Sequence, residues 1–186
     1  FACLVLLQEL PDLKVAFFVS EETGCHGSKA SDDDFFKDVG YAIQFDAPEN
    51  WMVSEFLMGV KLFERDSEFF KVCDEVITET FDGRQIYGSH PYTDVLMLKK
   101  KYDFSCINFS IGYYNYHTSN EYVVIDEIYT GRETGKRIIE GLGTTKHKLK
   151  HKTINEPYYL YHSSECFFFF IYIFITKEKY YGQIYN

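Results

Sequence analysis

Apolar residues occur along this chain in two kinds of run. LKVAFFVS (13–20), YAIQFDA (41–47) and FSCINFSIG (104–112) are nearly continuous apolar stretches rich in β-branched and aromatic residues. That is the pattern of strands covered on both faces. DSEFFKVCDEVITETF (66–81) instead places Phe69, Phe70, Cys73, Val76, Ile77 and Phe81 at helical spacing. IDEIYTGRETGKRIIEGL (125–142) predicts a second amphipathic helix, with Ile128, Ile138, Ile139 and Leu142 inward. Asp126 and Glu127 in its first turn and Lys136 and Arg137 near its end suit the helix dipole, and Gly143 follows as the stop. FACLVLLQEL (1–10) reads as a helix closed by Pro11, and TDVLMLKKKYD (93–103) as a short one with Thr93 as N-cap. DDDFFKDVG (32–40) is an acidic short helix or turn, and WMVSEFLMGVKLF (51–63) fits extended structure better than a helix. EETGCHGSKAS (21–31), DGRQIYGSHPY (82–92) and YYNYHTSNEYV (113–123) are expected as loops. The order predicts an α/β fold around a parallel sheet, in which ligands bind beyond the carboxyl ends of the strands.

Composition changes the picture at two points. The chain has 186 residues, 46% hydrophobic and 25% charged, which is enough for one domain and excludes collagen-like and wholly disordered chains. Its net charge of −9 argues against a general nucleic-acid binder. The charge is uneven, however: residues 144–186 carry six Lys and three Glu, so the acidic excess lies in 1–143. We therefore divide the chain into a globular part, 1–143, and a basic, aromatic tail, 144–186. The tail's FFFFIYIFI run (167–175) is too short to span a bilayer and reads as an edge strand, an interfacial segment or an aggregation-prone stretch. Its richness in Lys, Asn, Ile, Tyr and Phe raises the reading that it is not an evolved part of the domain. Five scattered cysteines without a C-x-x-C pair fit neither a disulfide framework nor a structural zinc site, and point to a reducing cytoplasm.

The chemistry gathers at the strand ends. The first predicted strand runs into Glu21-Glu22, the second ends at Asp46, and the third leads to His117. In a parallel sheet these positions share one edge. Adjacent glutamates divide two tasks, one ligating a metal and the other reaching its bound water. Two carboxylates and a histidine suit Zn²⁺ at a catalytic site with open positions, where bound water is acidified to a pKa of about 7.

These residues also carry a resemblance. VAFFVSEETGCHGSKA resembles the V-x-F-x-x-x-EE-x-G-x-x-G-A segment of the co-catalytic di-zinc exopeptidases, which include glutamyl aminopeptidase, peptidase T and acetylornithine deacetylase-like enzymes. YAIQFDAPEN is similar to their next strand, which ends in a metal-binding Asp. GSHPYTDVLMLKKKYDFSCINFSIGYYNYH and YYNYHTSNEYVVIDEI are similar to their final segment, where a His precedes Ser or Thr and then Glu. The likeness covers about residues 1–143. It implies a three-layer α/β/α phosphorylase/hydrolase-like catalytic domain, two zinc ions, and hydrolysis of a peptide or acyl-amide substrate, most closely as an aminopeptidase. It further implies Glu21 as general base, Glu22 and His117 as ligands of one zinc, and Asp46 as ligand of the other. His90 stands as a candidate oxyanion donor or substrate contact and His26 as a residue behind Glu22. Asp94 is expected to be structural or capping, and Tyr113, Tyr114 and Tyr116 to wall the pocket.

One departure qualifies these expectations. The family's first ligand, in an H-x-D motif, and its bridging Asp precede the EE segment, and neither is in this sequence. The reading is thus of an N-terminally truncated domain that retains one zinc or none, with the family's inserted lid or dimerisation domain reduced to about 48–90. Two rivals remain: an inactive homologue, and a binding or assembly module whose tail meets a membrane surface, a partner or a second copy of the chain.

Overall fold

The fold is described from a computed structural model for residues 1–49, 51–90 and 92–149 and for the backbone of two further strands, 170–175 and 183–184. The chain is mixed α/β. Helix α1 (Ala2–Glu9) leads into strand β1 (Leu13–Phe18), followed by two single-turn helices, α2 (His26–Lys29) and α3 (Asp33–Phe36). Strands β2 (Tyr41–Ala47), β3 (Met52–Leu57) and β4 (Val60–Lys61) come next, then helix α4 (Glu68–Thr80) and strand β5 (Ile86–His90). Helix α5 (Asp94–Lys101), strand β6 (Ser105–Ser110), the short pair β7 (Tyr113–Tyr114) and β8 (Tyr122–Val123), and helix α6 (Ile125–Leu142) follow. Strands β9 (Phe170–Ile175) and β10 (Gln183–Ile184) lie in the remainder.

The main sheet runs β10-β1-β9-β2-β6-β3-β4, with β5 added on β3. β2 and β6 are parallel, and β9 is antiparallel to both β1 and β2. Strands β1, β2 and β6 therefore share one direction, as expected, although the sheet as a whole is mixed rather than parallel. The tail corrects the expectation of an edge or interfacial segment. The backbone of β9 pairs with β1 on one side, Phe18 opposite Phe170, and with β2 on the other. Residues 167–169 lie outside the described residues. Just after Gly143 the backbone is hydrogen-bonded to the part before it. His147 N–H donates to Gly40 O at 2.9 Å, and Leu149 N–H to Asp103 O at 2.6 Å.

Alternation along β2 sends its side chains to opposite faces of the sheet. Phe45 lies under α6, where a Cβ on Gly135 would stand 2.6 Å from the Phe45 ring, so only glycine lets the helix approach this closely. Gln44, on the other face, reaches Thr93 and the Val95 N–H at the start of α5. Helices α1, α4 and α6 pack together, and α2 packs on α5. Glu9 ties α1 to α6 by pairing with Arg132 at 2.8 Å and Lys136 at 3.0 Å. The core between the layers is aliphatic and aromatic, with Leu6, Phe18, Ile43, Phe69, Leu98, Phe109 and Ile138 buried.

Two expected loops contain structure. β5 lies within 82–92 and pairs parallel with β3, and β7 and β8 form a small hairpin within 113–123. No helix among the described residues is long and apolar enough to cross a membrane.

Candidate functional site

Glu21 and Glu22 sit in a tight reversal after β1. Gly24 and Cys25 N–H groups donate to Glu21 O at 3.0 and 2.9 Å, and Gly27 N–H returns to Val19 O at 3.1 Å. The reversal holds Ser20 at φ 59° and Cys25 at φ 51°, left-handed conformations that cost energy for residues with a Cβ. Strain of this kind concentrates where a side chain must be aimed. Here it leaves Glu21 buried and Glu22 half-buried.

Asp46 lies at the end of β2 and is fixed on three sides. Thr93 Oγ1 and Gln44 Nε2 donate to its Oδ2 at 2.7 and 2.8 Å, its own N–H donates to Asn108 Oδ1 at 2.9 Å, and Tyr113 donates to its carbonyl at 3.2 Å. Thr93 occupies the N-cap position of α5 but makes no capping hydrogen bond, because its hydroxyl serves Asp46 instead. Asp94, the next residue, is fully buried and accepts from Ser28 Oγ at 2.5 Å, which links α5 to α2. Its expected structural role fits that link.

His117 stands in the loop between β7 and β8 at φ 61°, and its side chain is exposed. Its N–H donates to Glu121 Oε2 at 2.9 Å, which steadies the left-handed residue from within the same loop. Its Nε2 lies 3.3 Å from Glu22 Oε1. Two residues 95 positions apart in sequence are thereby in contact across the strand ends.

Glu21, Glu22, Asp46, His90 and His117 all line one cavity of about 540 Å³. Tyr113 and Tyr116 are on its wall, with apolar surface from Phe45, Ile111 and Ile128; His26 and Tyr114 are not among its lining residues. Negative charge crowds the polar side. Burial, then Asp46, Glu22 and Asp94, push the Glu21 carboxyl up to about 9. Burial pushes Asp46 up to about 8, against the Thr93 and Gln44 hydrogen bonds that favour its charged form. Burial also lowers the pKa of His90.

This donor chemistry fits a divalent cation, since positive charge there would offset the burial and like charge that hold protons on Glu21 and Asp46. Glu22 and His117 are the pair already in contact. Among the described residues no group of three or more His, Cys, Asp or Glu side chains is arranged to hold a metal ion. Gln44, Ser54, Thr93, Asn108 and Glu121, which hold these groups in place, were not singled out as site residues from the sequence. The signal available was a polar residue inside an otherwise apolar strand: Gln44 in YAIQFDA and Asn108 in SCINFS are both buried.

No family model matches the chain, and no curated protein or solved structure matches it.

Proposed function

We propose that this chain is the catalytic-domain part of a zinc-dependent exopeptidase, built as a three-layer α/β/α hydrolase-like domain, that cleaves peptide or acyl-amide bonds as an aminopeptidase. One observation carries the reading: the ends of β1 and β2 and the loop after β6 bring Glu21, Glu22, Asp46 and His117 to one cavity, with Glu22 and His117 3.3 Å apart. Glu22 and His117 would hold one zinc ion and Asp46 a second. Bound zinc supplies an acidified water and a Lewis acid for the substrate carbonyl. Glu21 is the general base. With no cation beside it, its carboxyl keeps a proton at neutral pH. Positive charge at Glu22 and Asp46 lowers that affinity and frees the carboxylate to accept a proton. Thr93 and Gln44 keep Asp46 oriented, and the apolar wall at Phe45, Ile111 and Ile128 offers surface for a substrate side chain.

An inactive relative is a second reading. It is favoured by the spacing of the candidate ligands, since among the described residues no three His, Cys, Asp or Glu side chains are grouped to hold a metal ion. Calorimetric titration with Zn²⁺ tests the proposal. Saturable binding that falls at least tenfold in both Glu22→Ala and His117→Ala is the expected result. A wild-type chain that binds no zinc, or variants that bind as well as wild type, would overturn the site. Zinc binding without release of amino acid from short peptides would favour the inactive relative.

A further inference from the structure

His90 is tied to Asp46 by hydrogen bonds that cross four strands. Asp46 N–H donates to Asn108 Oδ1 at 2.9 Å. A backbone N–H can only donate, so that contact settles which end of the Asn108 amide is oxygen. Its Nδ2 then donates to Ser54 Oγ at 3.1 Å. Ser54 Oγ in turn lies 2.6 Å from His90 Nδ1. The hydroxyl keeps a second lone pair and one proton, and among the described contacts His90 Nδ1 is the acceptor open to that proton, so we assign the proton to this contact. Nδ1 is therefore the bare nitrogen of the ring, and the proton of a neutral His90 sits on Nε2. The direction of the His90 pKa shift, downward through burial, agrees with a neutral ring.

Among the described residues Nε2 has no hydrogen-bond partner, although it is enclosed and His90 belongs to the wall of the cavity that holds Glu21 and Asp46. An enclosed N–H left without an acceptor destabilises the fold, a cost that folding alone gives no reason to keep. The ring is also held from the backbone: His90 pairs with Leu57 in the β3–β5 ladder, and Met58 N–H donates to its carbonyl at 3.3 Å.

We propose that His90 is a fixed, neutral hydrogen-bond donor for an oxygen of the molecule bound in this cavity, with Asn108 and Ser54 as positioning residues that set its tautomer. Under the function proposed above, on which the substrate class rests, that oxygen belongs to the scissile carbonyl and carries the negative charge that develops as the carbonyl is attacked. A neutral donor suits this task because it stabilises the oxygen without competing for the base's proton.

The experiment combines ¹⁵N NMR of the histidine ring with binding of a dipeptide phosphinate, a tetrahedral mimic with two anionic oxygens. In the wild-type chain the ring shows the Nε2–H tautomer, and Ser54→Ala mixes in the other. Adding the phosphinate shifts the His90 Nε2 resonance. His90→Ala weakens phosphinate binding about tenfold, and His90→Gln, which keeps an N–H donor, restores it to within about threefold. A ring protonated on Nδ1 in the wild type, a phosphinate that does not bind, or His90→Ala binding it as tightly as wild type overturns the proposal. The tautomer is read on the unmodified chain without metal, so it does not depend on a variant folding. Failure of the zinc titration with the tautomer and phosphinate results intact removes the peptidase reading and leaves the donor.

Discussion

Buried charge is handled in opposite ways at the two ends of the parallel strands. At the amino ends, Lys14 and Lys99 are almost fully buried, and each has carbonyl oxygens at its ammonium group. Lys14 Nζ donates to Phe35 O at 2.7 Å, and Lys99 Nζ donates to Phe104 O at 2.7 Å and Leu149 O at 2.9 Å. At the carboxyl ends, Glu21 and Asp46 meet further carboxylates, and burial with like charge raises both pKa values. The first end is complete within the chain. At the second, burial and neighbouring carboxylates favour the protonated forms of Glu21 and Asp46.

The comparison breaks most visibly at Lys99. Lys99→Met keeps the aliphatic bulk but removes the donor to two carbonyl oxygens, one of them in the segment after Gly143. A loss of about 3 kcal/mol is expected from urea unfolding. A loss below about 0.5 kcal/mol would mean that this end is not held by the ammonium group.

The carboxyl end responds with the opposite sign. Glu21 and Asp46 hold protons in the folded chain that they release in the unfolded one. Their raised values therefore favour folding only at low pH, and that advantage is lost as pH rises from about 4 towards 9. Glu21→Gln should stabilise the metal-free chain by about 2 kcal/mol at pH 8 and by nothing measurable at pH 4. Thermal melts at the two pH values check this, and equal shifts at both would refute the electrostatic account. The smallest effect is expected at Glu121→Ala. It leaves stability within about 0.5 kcal/mol, because the residue is on a surface loop. It loosens His117 and weakens zinc binding about threefold in the same calorimetric titration.

The contrast between the ends also marks what was legible in the sequence. β1, β2 and β6 follow from uninterrupted apolar runs, and α4 and α6 from period, because burial on both faces or on one stripe writes itself directly into composition. β5 was read as loop because IYGSH is half polar, carries a glycine and, among the described residues, pairs along β3 alone. The position of β9 depends on pairing with residues more than 120 positions away, which no local pattern encodes. In the site, the groups that sit at strand ends were found by the strand-end rule. The residues that hold them were missed because Gln44 and Asn108 sit within strands and Thr93 in a position where capping is the commoner use of a threonine. His26, a candidate either for a place behind Glu22 or for an exposed position, is exposed and opens α2.

The place of β9 has a consequence for how the molecule comes into being. Among the described residues, β1 pairs in the main sheet with β9 and β10, both more than 150 residues downstream. On a ribosome, β1 emerges more than 150 residues before the strand that joins it to β2. Until then the Glu21-Glu22 turn and Asp46 have no sheet connecting them. Such distant pairing slows folding and leaves apolar strand edges uncovered meanwhile. The sheet that connects the Glu21-Glu22 turn to Asp46 therefore closes only after β9 has been made.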